Sequence, residues 1–404
     1  MKIWSRTPIV MAAAGMLVLA ACGGGSSDST TGKADKDGVI TVKLGVVGPK
    51  TGPAKLYFDY MTQDFETFSA EFEKKYRVKF DLVEEDDQAS PEQTARAVSK
   101  LVNEEGVHAV MGPPLSGNSL QVADAMQRSK IPWLLPGPNA DEIINYKIQP
   151  NWAFQTNFTN QQVMAILGKL LYKKDNTVGI VYSADGFGQS NVDQLKKWAK
   201  ANGKTVAAAE SIQPGGTDAS AIVKRLKNAG VNSVFMGITQ GADIATVTRA
   251  IEQAAFKPNT LMTTGTILTD YAKVAEPSQW KNIQIVDPRN FLEGGTGDVL
   301  KEIKATTGQD AAIPTNNIST YAILDIYAQA VQKVGNATDY EAVRKAMEDT
   351  AVVHIKGDTI AKPFSATDHA LYDDDPTKWL VYGFDSKFGL KIEGTAAKCA
   401  SSGC

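Results

Sequence analysis

From Ile40 onward the chain alternates between two hydrophobic rhythms. The runs VKLGVV (42–47), VKFDLVE (78–84), HAVMG (108–112) and IPWLL (131–135) have the length and composition of buried strands. Between them, apolar residues recur every three or four positions, which predicts helices over Tyr60–Tyr76, Pro91–Asn103 and Ser119–Arg128. The series then restarts. TVGIVYS (177–183), KTVAAAE (204–210), SVFMG (233–237) and TLMTT (260–264) read as strands, with helices predicted over Gln189–Ala201, Asp218–Asn228 and Ala242–Ala255. Strands alternating with helices imply parallel pairing with helices on both faces, so two such series predict an α/β protein of two doubly wound lobes. In sheets of this kind a ligand binds at the carboxyl ends of the strands.

A third region adds IQIVD (283–287), helices over Thr320–Val334 and Tyr340–Asp349, and a hairpin of LVYGFD and FGLKIE turning at Asp385–Lys387. It is too small for a third domain and is expected to complete the first two lobes. Composition agrees with a globular chain of two cores: 404 residues, 43% hydrophobic and 22% charged. The net charge of −3 and the lack of a basic stripe with interleaved aromatics argue against nucleic acid as a partner.

The first residues have a separate pattern. Lys2 and Arg6 precede an apolar run, Ile9–Leu19, too short for an ordinary membrane span, and Leu19-Ala20-Ala21-Cys22 then looks like a bacterial lipobox. On that reading residues 1–21 are an export signal, Cys22 carries a diacylglycerol anchor to the membrane, and the Gly/Ser/Thr/Asp-rich residues 22–38 are a flexible tether. An ordinary cleaved signal with a chance cysteine is the alternative. Cys399 and Cys404, in the tail KCASSGC, are expected to pair in an exported protein; their spacing fits neither C-x-x-C redox chemistry nor a zinc site.

If the ligand lies at strand ends, its contacts lie in the loops GPKTGP, GPPLSGNS, PGPNADE, SADGFGQ, GITQGAD and TGTILTD. These are rich in Gly and in small hydroxyl or amide residues, poor in charge, and each opens a helix. Free N–H groups at helix starts, with Ser, Thr or Asn beside them, suit a carboxylate or another small polar group. The plainer reading makes Ser119, Asn139 and Asp185 ordinary helix caps. GPKTGP is not a phosphate loop, because Pro49 occupies the position where a Walker motif needs a glycine N–H. The three histidines form no metal-spaced cluster, His108 lies inside a strand pattern, there is no G-x-S-x-G elbow, and the acidic runs 84–87 and 373–375 lack calcium-loop spacing. No catalysis, metal or cofactor is expected.

GPKTGP, VMGPPLSGNSLQVADA, IPWLLPGPNADEI, VYSADGFGQS and GGTDASAIVKRLKNAGVNSVFMG together resemble the type I solute-binding proteins of ABC transporters, in the branched-chain amino acid (leucine/isoleucine/valine) class and its lipoprotein form. The resemblance spans about Val39 to Glu393. It implies two lobes joined by three crossing segments, closing on a solute in the cleft: residues 39–155 with 289–365 as one lobe, 156–288 with 366–393 as the other, and 394–404 as a disulfide-bearing tail. It places Leu115 and Ser116 at a solute carboxylate, Asn139 where a Thr holds carboxylate and amine, and Gly137 and Pro138 as adjoining backbone. It makes Tyr57 an aromatic wall, and sets Phe187 and the segment carrying Thr239 and Gln240 at two positions otherwise held by tyrosines. Thr264 and Gly265 fall where amino-acid binders present a carboxylate to the ammonium. That departure weakens an α-amino acid as solute unless Asp185, Asp243 or Asp270 reaches in; an amine-free acid or an amide fits at least as well. The implied partners are a small-molecule solute and the membrane subunits of an ABC permease, met by a monomeric binding protein. A sensor of the same fold that signals without transport is the competing function.

Overall fold

The computed structural model describes residues 32–404 apart from 146, 174–175 and 266–269. The expected export signal and Cys22 lie outside the described residues. The first lobe is built from β1 (Ile40–Gly48), α1 (Leu56–Tyr76), β2 (Val78–Asp86), α2 (Pro91–Asn103), β3 (Ala109–Met111), α3 (Ser116–Ser129), β4 (Trp133–Leu135), α4 (Asp141–Ile144) and β5 (Ala153–Gln155). Its sheet runs β2-β1-β3-β4-β5, parallel throughout. The second lobe follows with α5 (Asn160–Leu171), β6 (Val178–Ser183), α6 (Gly186–Ala201), β7 (Val206–Ile212), α7 (Ser220–Asn228), β8 (Ser233–Gly237), α8 (Gly241–Gln253), β9 (Asn259–Thr263), the short α9 (Asp270–Val274) and α10 (Pro277–Trp280), and β10 (Ile283–Asp287).

The chain then returns. α11 (Gly294–Thr307), α12 (Pro314–Val334), α13 (Tyr340–Glu348) and the small hairpin β11 (Val352–Ile355) and β12 (Asp358–Ala361) gather around α1, and α11 and α12 pack directly on it. The last pass adds β13 (Leu380–Phe384), β14 (Leu390–Thr395) and α14 (Ala396–Ser402), and the second sheet reads β14-β13-β10-β9-β8-β6-β7, antiparallel where β13 pairs with β10 and with β14 and parallel elsewhere. The paired alternation of the sequence thus becomes two doubly wound sheets. The chain passes between them three times, over 156–159, 288–293 and 362–379.

The aromatic stripe of α1 shows why the third region belongs to the first lobe. Phe65, Phe68, Phe72 and Tyr76 recur at helical spacing and are buried; the three phenylalanines meet Phe80 of β2 or Tyr321 of α12 edge-on or tilted at centroid distances of 4.8–6.3 Å, and Tyr76 stacks on Phe72 at 6.4 Å. Each such ring taken from water contributes roughly 1.5–3 kcal/mol, so α1 without α12 would leave a costly exposed face.

One boundary differs from the sequence reading. Gly32 accepts from Ala337 N–H at 2.6 Å and donates to Thr41 O at 2.7 Å, and Lys33 bridges Asn336, so residues expected in a free tether are hydrogen-bonded to the first lobe. The tail carries the expected disulfide: α14 packs on α5, and Cys399, bonded to Cys404, is buried in the second lobe's core.

Candidate functional site

The cleft lies where the carboxyl ends of β3 and β4 face those of β6, β8 and β9, and it encloses a cavity of about 60 Å³. From the first lobe it is lined by Tyr57, Pro114, Leu115, Ser116, Gly137 and Asn139, and from α12 and the residue before it by Ile313, Thr315 and Asn316. From the second lobe come Phe187, Met236, Ile238, Thr239, Ile244 and Met262–Gly265; Asn157 and Phe158, in the first crossing, close its back.

Of the sequence candidates, Tyr57, Leu115, Ser116, Gly137, Asn139, Phe187, Thr239, Thr264 and Gly265 therefore share one cavity, while Pro138 and Gln240 are not part of its lining. Gln240 is the residue before α8, and its carbonyl accepts from Asp243 and Ile244 N–H. The plainer cap reading fits Asp185, whose Oδ1 accepts from Gly188 N–H at 2.8 Å at the start of α6. It does not fit Ser119, which lies inside α3 and donates to Pro113 O at 2.7 Å. Asn139 does not cap a helix: its Nδ2 donates to Phe158 O at 2.6 Å and its N–H to Ser116 Oγ at 3.1 Å, which ties the two loops together. Gly137 has no room for a side chain, since a Cβ there would lie 2.3 Å from Tyr60 Oη and 2.8 Å from Pro114 O.

GPKTGP stands beside the cavity, not in its wall. Lys50 pairs with Glu84 at 2.8 Å and Thr51 Oγ1 donates to Asp86 at 2.6 Å. His108 is structural, its Nδ1 accepting from Lys43 N–H at 3.1 Å.

No lining side chain among the described residues is charged. Asp185 is spent on Gly188 and on Thr239 Oγ1, and Asp243 accepts from Gly215 N–H at 3.0 Å. Behind the cavity, Thr264 Oγ1 donates to Asp287 Oδ2 at 2.6 Å, and Asp287 pairs with Arg289.

Two cross-lobe contacts define the state. Tyr57 Oη donates to Thr239 O at 2.6 Å, and Gly186 at the start of α6 abuts Gly117 in α3. The lobes are closed.

Near the first crossing, Asp141 of α4 accepts from Gln161 N–H of α5 at 3.0–3.1 Å through both oxygens, and burial pushes its pKa up to about 6. An acid with a raised native pKa holds its proton more tightly when folded. Its contribution to stability is therefore complete below about pH 3.8 and lost as the pH rises through 6. Urea unfolding at pH 4 and pH 7 should show Asp141→Asn removing on the order of 2–3 kcal/mol of pH dependence relative to the parent protein. An unchanged difference would show that this carboxyl is not held neutral.

The comparisons agree with this architecture. Residues 41–399 match the family model described as periplasmic binding protein. The chain belongs to that family. A Leu/Ile/Val-binding protein of Rhizobium johnstonii is 25% identical over 319 residues, covering 76% of this chain and 83% of the relative. Among solved structures, the branched-chain amino acid transporter substrate-binding protein of Streptococcus pneumoniae, in complex with isoleucine, superposes with a TM-score of 0.70 at 14% identity, over 88% of this chain and 98% of that one. A solute-binding protein of an ABC transporter from R. palustris, in complex with 4-hydroxybenzoate, gives 0.72 at 19% identity, over 88% and 94%. The chain is thus a periplasmic binding protein with the fold of those solved structures, and it is similar in sequence to Leu/Ile/Val-binding proteins.

The sequence reading missed eleven lining residues: Pro114, Asn157, Phe158, Met236, Ile238, Ile244, Met262, Thr263, Ile313, Thr315 and Asn316. Ile238 and Thr263 stood in segments already singled out. The signal for Met236 and Met262 was their place at the carboxyl end of a strand, where an apolar residue becomes cavity floor.

Proposed function

We propose that this chain captures a small carboxylate- or amide-bearing solute by lobe closure and delivers it to an ABC permease, while held to the membrane by a lipid on Cys22. The observation that carries the reading is a cavity walled by loops of both lobes and sealed by Tyr57–Thr239 and Gly117–Gly186. A solute that contacts both lobes favours the closed form by its differential affinity for it, and a permease that recognises that form receives only loaded protein. Leu115, Ser116, Gly137 and Asn139 on one side, and Phe187, Thr239, Thr264 and Gly265 on the other, supply the contacts. Both an amino acid and an aromatic acid occupy this fold in the relatives described above, so the family leaves the solute open.

The anchor suits that role. The chain enters the first lobe at the amino end of β1, opposite the cleft, and the ten residues from Cys22 to Gly32 span at most about 35 Å. A receptor kept that close to the membrane meets its permease at a raised effective concentration.

Deleting the gene should abolish uptake of the solute without altering gene expression; the reverse pattern would favour a sensor. Cys22→Ser should move the protein from the membrane to the soluble fraction. Continued membrane association of that variant would refute the lipid anchor.

A further inference from the structure

We infer that the cleft is built for an amine-free carboxylate on an apolar body and discriminates against α-amino acids; the inference rests on the solute-binding reading above. The two ends of the cavity differ in chemistry. On the first-lobe side, α3 begins without a side-chain cap, so the N–H groups of its first turn have no helical acceptor, and Leu115 and Ser116 at that start line the cavity. Ser116 is 3% exposed, and its Oγ accepts from Asn139 N–H, which leaves the hydroxyl proton to donate. A helix start and a hydroxyl donor together favour an anion.

Among the described side chains, the opposite end offers an ammonium no unengaged carboxylate. Asp185 is engaged by Gly188 N–H and the Thr239 hydroxyl and Asp243 by Gly215 N–H, neither carboxylate belonging to the lining, and Asp287 is paired with Arg289. The stretch Thr264–Thr269 contains no acidic residue in its sequence, and the first one after it is Asp270. Two amide oxygens that line the site are already engaged: Asn157 Oδ1 accepts from Phe158 N–H and Arg289, and Asn316 Oδ1 from Thr315 Oγ1 at 3.1 Å and Asn157 Nδ2 at 3.4 Å. What the second lobe presents is Phe187, Met236, Ile238, Ile244 and Met262, with Phe158 beside them. That surface suits a ring or a branched chain. An ammonium closed in against it would lose its water without a carboxylate in exchange.

Matched pairs that differ only in the amine test this directly. The full-length protein, freed of carried-over solute by dialysis in mild denaturant, is titrated calorimetrically with 4-methylpentanoate and leucine, and with 3-phenylpropanoate and phenylalanine. Lobe closure is followed in parallel by small-angle scattering. We expect at least one acid to bind and close the lobes, with an affinity about a hundredfold or more above that of its amino acid. Ser116→Ala should weaken that acid about tenfold. An amino acid that binds as tightly as its acid, or more tightly, and closes the lobes would overturn the amine-free class while leaving the solute-binding reading in place. If none of the four binds and the lobes do not close, both readings fall.

Discussion

Replacing Arg289 with alanine should destabilise the protein by roughly 3–5 kcal/mol, read as a lower urea midpoint at unchanged slope. Arg289 is 2% exposed and all five of its N–H donors are used. Nε and Nη2 hold the two oxygens of Asp287 at 2.6 and 2.9 Å. Nη1 donates to Thr315 O and Ser319 Oγ, each at 2.8 Å, and Nη2 also reaches Asn157 Oδ1 at 3.1 Å. The guanidinium lies 5.4 Å from the ring centre of Tyr372. One side chain thus contacts the first crossing at Asn157, belongs to the second, meets the third at Tyr372 and grips α12.

Alanine would leave Asp287 buried without its cation, and Ser319 and Asn157 short of a donor; that desolvation sets the size of the effect. Lysine would keep the charge but lose the planar fork, so Arg289→Lys should fall between parent and alanine. A loss below about 1 kcal/mol for alanine would mean that water or a local shift replaces the guanidinium. Because the knot sits where the chain crosses between lobes, the same variant should also change solute affinity, which a purely local defect in one core would not.

The sheets were legible because a strand covered on both faces is a continuous apolar run, and each such run named above forms a strand in the structure. Helix starts away from the cleft were legible too, α2 and α13 beginning at Pro91 and Tyr340 as expected, but those at the cleft were not. α12 begins at Pro314, about two turns before the predicted Thr320, because Thr315, Asn316 and Asn317 interrupt the apolar rhythm; yet all three are buried, turned to the cavity, to Arg289 and to Asp64. α3 and α6 likewise begin at Ser116 and Gly186, before the predicted Ser119 and Gln189, since glycine and serine there gave no helical signal. The lost turns are those that face the cleft. A binding site replaces core residues with polar or small ones, and that substitution removes the periodicity from which helices are read. Arg289 gave no warning at all, because Asp-Pro-Arg reads as a turn until the fold brings Asn157, Thr315 and Ser319 around it.

Replacing Gly186 with alanine should weaken solute binding about tenfold to a hundredfold while leaving the stability of the solute-free protein nearly unchanged. A Cβ at Gly186 would lie 2.7 Å from Gly117 Cα and 2.8 Å from Gly117 N, backbone that cannot yield as a flexible side chain would. Gly186 is the first residue of α6, where alanine is a good helix former, so its own lobe tolerates the methyl group. The penalty falls on closure alone. A solute that must bridge the lobes then binds a form populated less often, and its apparent affinity drops by that fraction. The reciprocal change is the control: a Cβ at Gly117 comes no closer than 3.6 Å to Gly186 N, an ordinary contact, so Gly117→Ala should bind almost as the parent does. Titration of both variants with one solute, alongside urea unfolding without it, separates the cases. Equal affinities for the two would mean that the solute-bound lobes stand further apart than the glycine seam implies, whereas loss at Gly186 alone would establish that seam as the surface on which closure is decided.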